Sequence, residues 1–342
     1  MQKLRVREKN LWILALLLLL LGYLAAFAVI NFIGLPWFMG ADTYGDTLVS
    51  QYMWKQKTPF PDGWVFGNQY YVIATPVLAA FFYGLTGSMN FAMALATTAM
   101  TAFLLLALWW MLRPFLTNGQ ILATAVALVA AALAMDLYYK LEAQLLFVMA
   151  SYYACYLLTI FVVWGDYLHG LFCGKRVLCI SFLLGLFLSF ATGMQSLRQT
   201  CIMVLPLLAF EGLRVVGMLL WPGRIRRTWQ PTIRAVGTAV ANFAGLIAIQ
   251  ILNVPSSTIY GTVEPLSPDQ LSAHLMNALR AIADITGLGY LDTYGPTWFM
   301  LLFCFGTIGV VVLAFGAAVF QWIVHREAAQ AAAPLDVLMA LC

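Results

Sequence analysis

The chain has 342 residues, 63% of them hydrophobic and only 9% charged, with a mean hydropathy of +0.88. A soluble domain carries roughly a quarter charged residues, so an ordinary soluble protein is excluded, and a net charge of +4 is too small to mark a nucleic-acid binder. Six cysteines lie mostly in or beside apolar runs with no C-x-x-C spacing, and His169, His274 and His325 stand apart, which gives neither a disulfide framework nor a zinc centre.

The amino terminus, MQKLRVREKN, is basic and leads into an apolar run from Leu11 to about Pro36. That run is too long for a cleaved signal and no A-x-A site follows it closely, so it predicts an uncleaved first span starting in the cytoplasm. Further apolar segments lie near 88–112, 119–137, 145–164, 178–196, 201–219, 235–253 and 296–324, each near the roughly 20 residues that a crossing helix needs. The stretch Tyr71–Leu85 is short and carries Pro76 in its middle. If it does not cross, 13 lysines and arginines fall inside and 5 outside. If it crosses, the split becomes 7 and 11, and the basic run Arg224–Arg227 moves outside, against the positive-inside rule. The stretch is therefore read as an interfacial or half-penetrating helix, which leaves eight complete spans. After the polar linker HREAAQAAAP, the short apolar run LDVLMALC reads either as an interfacial stub or, the favoured expectation, as the start of a ninth span in a longer natural chain. The expected fold class is all-α: a polytopic transmembrane helix bundle of about eight or nine spans, forming a single transmembrane domain over residues 1–342.

This topology turns three polar loops outward: 36–71, extended to 87 by the interfacial helix, then 137–144 and 254–295. Asp42, Asp46, Asp62, Glu142, Glu264, Asp269, Asp284 and Asp292 all fall in them, with Asp136 at the outer end of the third span. Over residues 41–57, Tyr44, Leu48 and Tyr52 recur every four residues with Val49 and Met53 beside them, while Asp42, Asp46 and Ser50 recur on the opposite face. The pattern predicts a juxtamembrane helix that turns two carboxylates away from lipid. Their like charges at i,i+4 should raise the pKa of at least one. A solvated face with Asp42 as helix cap accounts for the same spacing.

The next segment is TPFPDGWVFGNQYY. Pro59 and Pro61 forbid a continuing helix and Asp62-Gly63 signals a turn. Trp64, Phe66, Tyr70 and Tyr71 suit either the wall of an interfacial groove or a plain aromatic belt. The second outer loop brings Asp136, Lys140 and Glu142, which mark a site or pair with each other. Arg198, at the outer end of the fifth span with Gln195 and Ser196 nearby, can hold a phosphate or simply snorkel. Arg280 and Asp284 form an i,i+4 pair on an amphipathic helix over 268–285, and Glu211 and Arg214 an i,i+3 pair near the cytoplasmic side. No metal-ligand set stands out, and a divalent cation is the one cofactor left open.

The layout resembles the C-type (GT-C) membrane glycosyltransferases. Features in common are a cytoplasmic start, one span, and a long outer loop that opens with an acid on a juxtamembrane helix, here Gly40 to Asp46. A stretch rich in proline and aromatics and a short helix then precede the second true span. The resemblance covers residues 1–145 in detail and the remainder only as span count and polarity. It implies transfer of a sugar from a polyprenyl-phosphate donor to an acceptor, by carboxylate-assisted inversion, at the outer face of a plasma membrane. By position Asp42 matches the family's acid, which serves as base or acceptor ligand, with Asp46 as near competitor and Glu142 or Asp136 as second-loop acid. Arg198, or Lys140, would stabilise the departing phosphate, and Trp64, Tyr70 and Tyr71 would line the substrate site. The implied partners are a lipid-linked sugar, membrane lipid and an acceptor of unnamed class, and the terse loops favour a bacterial envelope. The rival reading is a lipid or oligosaccharide flippase or other transporter. The expected absence of charge in the middles of the spans, and of duplicated halves, disfavours an ion-coupled carrier.

Overall fold

The computed structural model describes residues 2–34, 41–67, 69–138, 151, 153–173, 177, 179–220, 229–257 and 267–285. Lys140, Glu142, Glu264, Asp292 and the apolar segment 296–324 lie outside the described residues. Residues 1–259 form one compact unit and residues 260–342 another.

The first unit is built from nine α-helices among the described residues. They are α1 (Gln2–Val29), α2 (Ala41–Gln56), α3 (Thr75–Thr86), α4 (Met89–Leu112), α5 (Asn118–Tyr138), α6 (Ala154–Phe172), α7 (Ile180–Gln195), α8 (Leu205–Leu220) and α9 (Gln230–Leu252). Short π-helical turns, Ile30–Gly34 and Thr200–Val204, follow α1 and precede α8. In the second unit, α10 (Pro268–Ile285) is the described element, amphipathic as its sequence pattern predicts. The described residues form no β-sheet, only a single bridge between Phe66 and Ser256.

Among the described residues, four helices are long and apolar enough to cross a membrane: the stretch Leu11–Ile33 containing most of α1, then α4, α6 and α9. Helix α3, the first half of α5 and α7 are shorter apolar helices. Large apolar side chains face outward, with Ile180, Leu213 and Ile251 each at least 74% exposed. A surface of this kind suits lipid and would be a liability in water. The protein is an all-helical membrane protein.

The expected half-penetrating segment is α3. Its 12 residues extend roughly 18 Å, well short of a hydrocarbon core of about 30 Å. Pro76 does not interrupt it. It sits in the first turn, where a missing N–H costs nothing. Gly87 ends α3 at φ +70°, donating its N–H to the Tyr83 carbonyl at 2.8 Å.

The helix ends sort into two sets. At one end the Trp110 and His169 rings lie 4.5 Å apart, Gly119 faces Ile13, and Arg234 on α9 meets Asp166 on α6. At the other end α2, the segment 57–74, the start of α6 and the ends of α7 and α9 converge. Helices α4 and α6 run parallel to each other and opposite to α7 and α9.

Helices α7 and α9 approach closely through glycine. A Cβ on Gly193 would fall 2.2 Å from the Asn242 carbonyl oxygen, and one on Gly245 would fall 2.1 Å from that of Phe190. The backbones therefore touch, as small-residue interfaces in membranes allow. Polar groups between them are satisfied: Ser189 donates to the Thr238 carbonyl at 2.9 Å, Asn242 donates to the Ser189 carbonyl at 3.0 Å, and Thr200 donates to Asn242 Oδ1 at 2.6 Å.

Buried charge lies toward the ends of two crossing helices, which run past the apolar segments 145–164 and 235–253. Helix α6 continues to Phe172 and α9 starts at Gln230, so Asp166 and Arg234 lie within helices, both nearly fully buried and joined at 2.7 Å. Ser181 donates a second hydrogen bond to Asp166 at 2.6 Å. Nearby, Arg214 grips Glu211 with two N–H groups at 2.7 and 2.6 Å, and Tyr167 donates to the same carboxylate at 2.6 Å. The i,i+3 pair is thus real, and it sits in a buried network that also takes in Thr232 of α9.

Candidate functional site

Helix α2 has an exposed and a buried face, but Val49 and Met53 turn inward with Asp46 and Ser50 and do not side with the stripe of Tyr44, Leu48 and Tyr52 as the periodicity predicts. Tyr44, Leu48 and Tyr52 are exposed, while Asp46, Val49, Ser50 and Met53 point into the protein. The polar stripe is therefore split. Asp42, in the first turn of the described helix, is exposed, and Asp46, one turn on, is 2% exposed. Asp46 lies inside the protein and not on a solvated face, because the segment 57–74 folds back and covers it.

That fold-back has a local cause. The Gln56 side chain at the end of α2 accepts the Asp62 N–H at 2.7 Å, which closes the turn around Pro59 and Pro61. The aromatic run then packs on itself. The Phe66 ring lies 6.0 Å from Phe60, 5.4 Å from Tyr70 and 5.9 Å from Tyr71, and Trp64 rests 6.2 Å from Tyr52. Tyr71 donates its phenol proton to Asp46 Oδ1 at 2.6 Å. The other carboxylate oxygen, Oδ2, is buried with no hydrogen-bond partner among the described residues. Burial pushes the Asp46 carboxyl up to about 7, the Tyr71 hydrogen bond opposes that rise, and repulsion from Asp42 adds to it. The i,i+4 repulsion expected from spacing is present, as the smaller cause.

Residues 69–73 are pinned from the far side by Gln195, the last residue of α7. Its side-chain oxygen accepts the N–H groups of Val72 and Ile73 at 3.0 and 2.7 Å, and its carbonyl accepts that of Tyr70 at 2.9 Å. Tyr156 donates to Gln69 Oε1 at 3.1 Å. The end of α9 adds a third anchor. The Tyr70 hydroxyl donates to the Val254 carbonyl at 3.2 Å, Phe66 N–H to that of Pro255 at 2.9 Å, and Ser257 N–H to that of Phe66 at 2.7 Å. Gln195 is thus a buried latch.

Just past Gln195 the wall of the bundle opens into a groove of about 600 Å³, lined chiefly by Tyr153, Tyr156, Leu157, Leu197, Arg198 and Cys201. Arg198 is exposed, and its guanidinium lies 5.8 Å from the centre of the Tyr153 ring. Its backbone N–H donates to Ser196 Oγ at 3.1 Å, which holds the turn that presents it. Trp64, Tyr70 and Tyr71 do not line this groove. They form the packed platform next to it. The residues that do wall it, Tyr153 and Tyr156, carry no signal in the sequence beyond their place at the head of a span. Among the described residues no three His, Cys, Asp or Glu side chains gather to hold a metal ion. Compared with known proteins, the chain matches no family model, no curated protein and no solved structure.

Proposed function

We propose that this protein transfers a sugar from a polyprenyl-phosphate donor to an acceptor hydroxyl at the outer face of a cell membrane. The observation that carries the reading is the groove beside Gln195: apolar and aromatic walls with an exposed guanidinium, at the same bundle end as Asp42 and Asp46. A lipid phosphate needs that combination, a greasy channel for the chain and a forked cation for the head. In the reaction the acceptor oxygen attacks the anomeric carbon while Asp42 takes its proton. The bond from that carbon to the phosphate oxygen breaks, and the electron pair leaves with the phosphate, whose charge Arg198 stabilises. Attack opposite the leaving group inverts the anomeric centre. Lys140 and Glu142 would extend the site from the second outer loop, and Trp64 and Tyr70 would border it. A divalent cation would screen a phosphate without a fixed ligand set from these helices.

Cys201 makes the groove testable, because it is an exposed thiol in the wall. In membranes, a polyprenyl phosphate should slow maleimide labelling of Cys201 while the free polyprenol does so far less. Arg198→Ala should erase the difference. Identical labelling with phosphate, with alcohol and with neither would remove the groove as a donor site. Orientation has its own check. In a background without native cysteines, thiols placed at Gln56 and Ser267 should react with an impermeant external reagent, whereas one at Arg226 should not. External labelling of position 226 would put this bundle end in the cytoplasm and end the outer-face reading.

A further inference from the structure

The identity of the side chain that holds Asp46 leads further, on the footing of the transferase reading above. Tyr71 reaches Asp46 from 25 residues along the chain and donates to Oδ1. A phenol stays protonated near neutral pH, so Oδ1 remains an acceptor and a proton gained by Asp46 goes to Oδ2, the buried oxygen without a partner among the described residues. Tyr71 is not free to drift, because Val72 and Ile73 are fixed on Gln195 and its ring stands edge-on to Phe66 at 77°. Few other titratable groups surround the pair. On α2 the neighbour is Asp42. Helix α3 carries Tyr83 and no charged residue, and α4 carries no titratable side chain. Cys155 and Tyr156, at the head of α6, share the apolar cluster that holds Tyr71.

We propose that Tyr71 is a positioning residue that fixes where Asp46 holds its proton and how tightly, and so sets the pH dependence of transfer. The link to chemistry is electrostatic. An ionised Asp46 places a negative charge one helical turn from Asp42, in a poorly hydrated setting where charge acts strongly. Positive charge develops at an anomeric carbon as its leaving group departs. Transfer should therefore rise as pH passes upward through the titration of Asp46. The sign for Tyr71 follows from its role as donor. It stabilises the ionised carboxylate, so removing the hydroxyl makes Asp46 hold its proton to higher pH.

The experiment uses the full chain reconstituted in lipid, titrated from about pH 5 to about pH 9, a range that brackets neutral carboxyl titration. Infrared difference spectra should show a protonated-carboxyl band lost with a midpoint near 7, and this band should be missing in Asp46→Asn. Tyr71→Phe keeps the ring and its packing. It should move the midpoint up by about one to two units, the value of one hydrogen bond to a charged group, and the rising limb of the transfer rate should move with it. A midpoint unchanged in Tyr71→Phe, or a band that persists in Asp46→Asn, would overturn the assignment. A band that shifts as expected in a protein with no transfer at any pH would overturn the transferase reading and leave the Tyr71–Asp46 pairing supported.

Discussion

Asp42→Asn should lower sugar transfer by on the order of 10²- to 10⁴-fold, the usual span for losing general-base assistance. Asparagine keeps the size and capping ability of aspartate but cannot accept a proton, so protein abundance and donor protection of Cys201 should change little. The contrast with Asp46 gives the comparison its force. Asp42 is exposed at the start of α2 and open to an acceptor, whereas Asp46 is covered and already engaged by Tyr71. Asp46→Asn should therefore cost less at neutral pH and act through the pH profile. A transfer assay in donor-loaded membranes, normalised for expression, separates the two. Full activity in the Asp42→Asn, Asp46→Asn double variant would take catalysis away from α2.

The second large effect is on stability and lies at the other end of the bundle. Arg234→Ala should destabilise the protein by about 3–5 kcal/mol, because it strands the Asp166 carboxylate inside the bundle with the Ser181 hydroxyl and the Cys179 thiol as its donors among the described residues. Neutralising both partners, as in Asp166→Asn with Arg234→Leu, should recover much of that loss, since a buried pair gains little over apolar packing once its desolvation is counted. The Arg234 guanidinium lies against Gly170, where an added Cβ would meet it at 2.6 Å. A change at Gly170 should therefore disturb the same pair. Thermal unfolding in detergent, followed by loss of the monodisperse peak, measures both variants. Equal melting temperatures for Arg234→Ala and the unchanged protein would show that the pair is not holding these helices together.

How much of this the sequence shows depends on how far apart the partners are. The helix α2 and its stripe of Tyr44, Leu48 and Tyr52 are legible because a four-residue repeat is local information, and so is the short helix after residue 71, whereas the inward turn of Val49 and Met53 is not. Which carboxylate on that helix is buried is not legible, since Asp42 and Asp46 share one face and only the returning segment with Tyr71 tells them apart. The pair Asp166–Arg234 spans 68 positions, and nothing in either neighbourhood announces the other. Hydropathy windows made it harder to see, because they trim span ends where charge begins, and there the two residues sit. Arg198 is legible as the one cation just after its span, but its aromatic setting is not. Tyr153 comes from a different helix, and Gln195 reads as a polar neighbour until its side-chain oxygen is found on Val72 and Ile73.

That last contact also bears on the order of manufacture. A polytopic chain enters the membrane amino end first, so residues 69–73 are delivered well before Gln195 has been made and long before Val254 to Ser257. Until then the N–H groups of Tyr70, Val72 and Ile73 lack their final acceptors, and Phe66 lacks the partner strand segment that brackets it. The acidic helix is thus one of the first pieces to be laid down and one of the last to be fastened. A newborn chain carries its carboxylates without the clasp that orients them, and that clasp closes only when its later helices arrive.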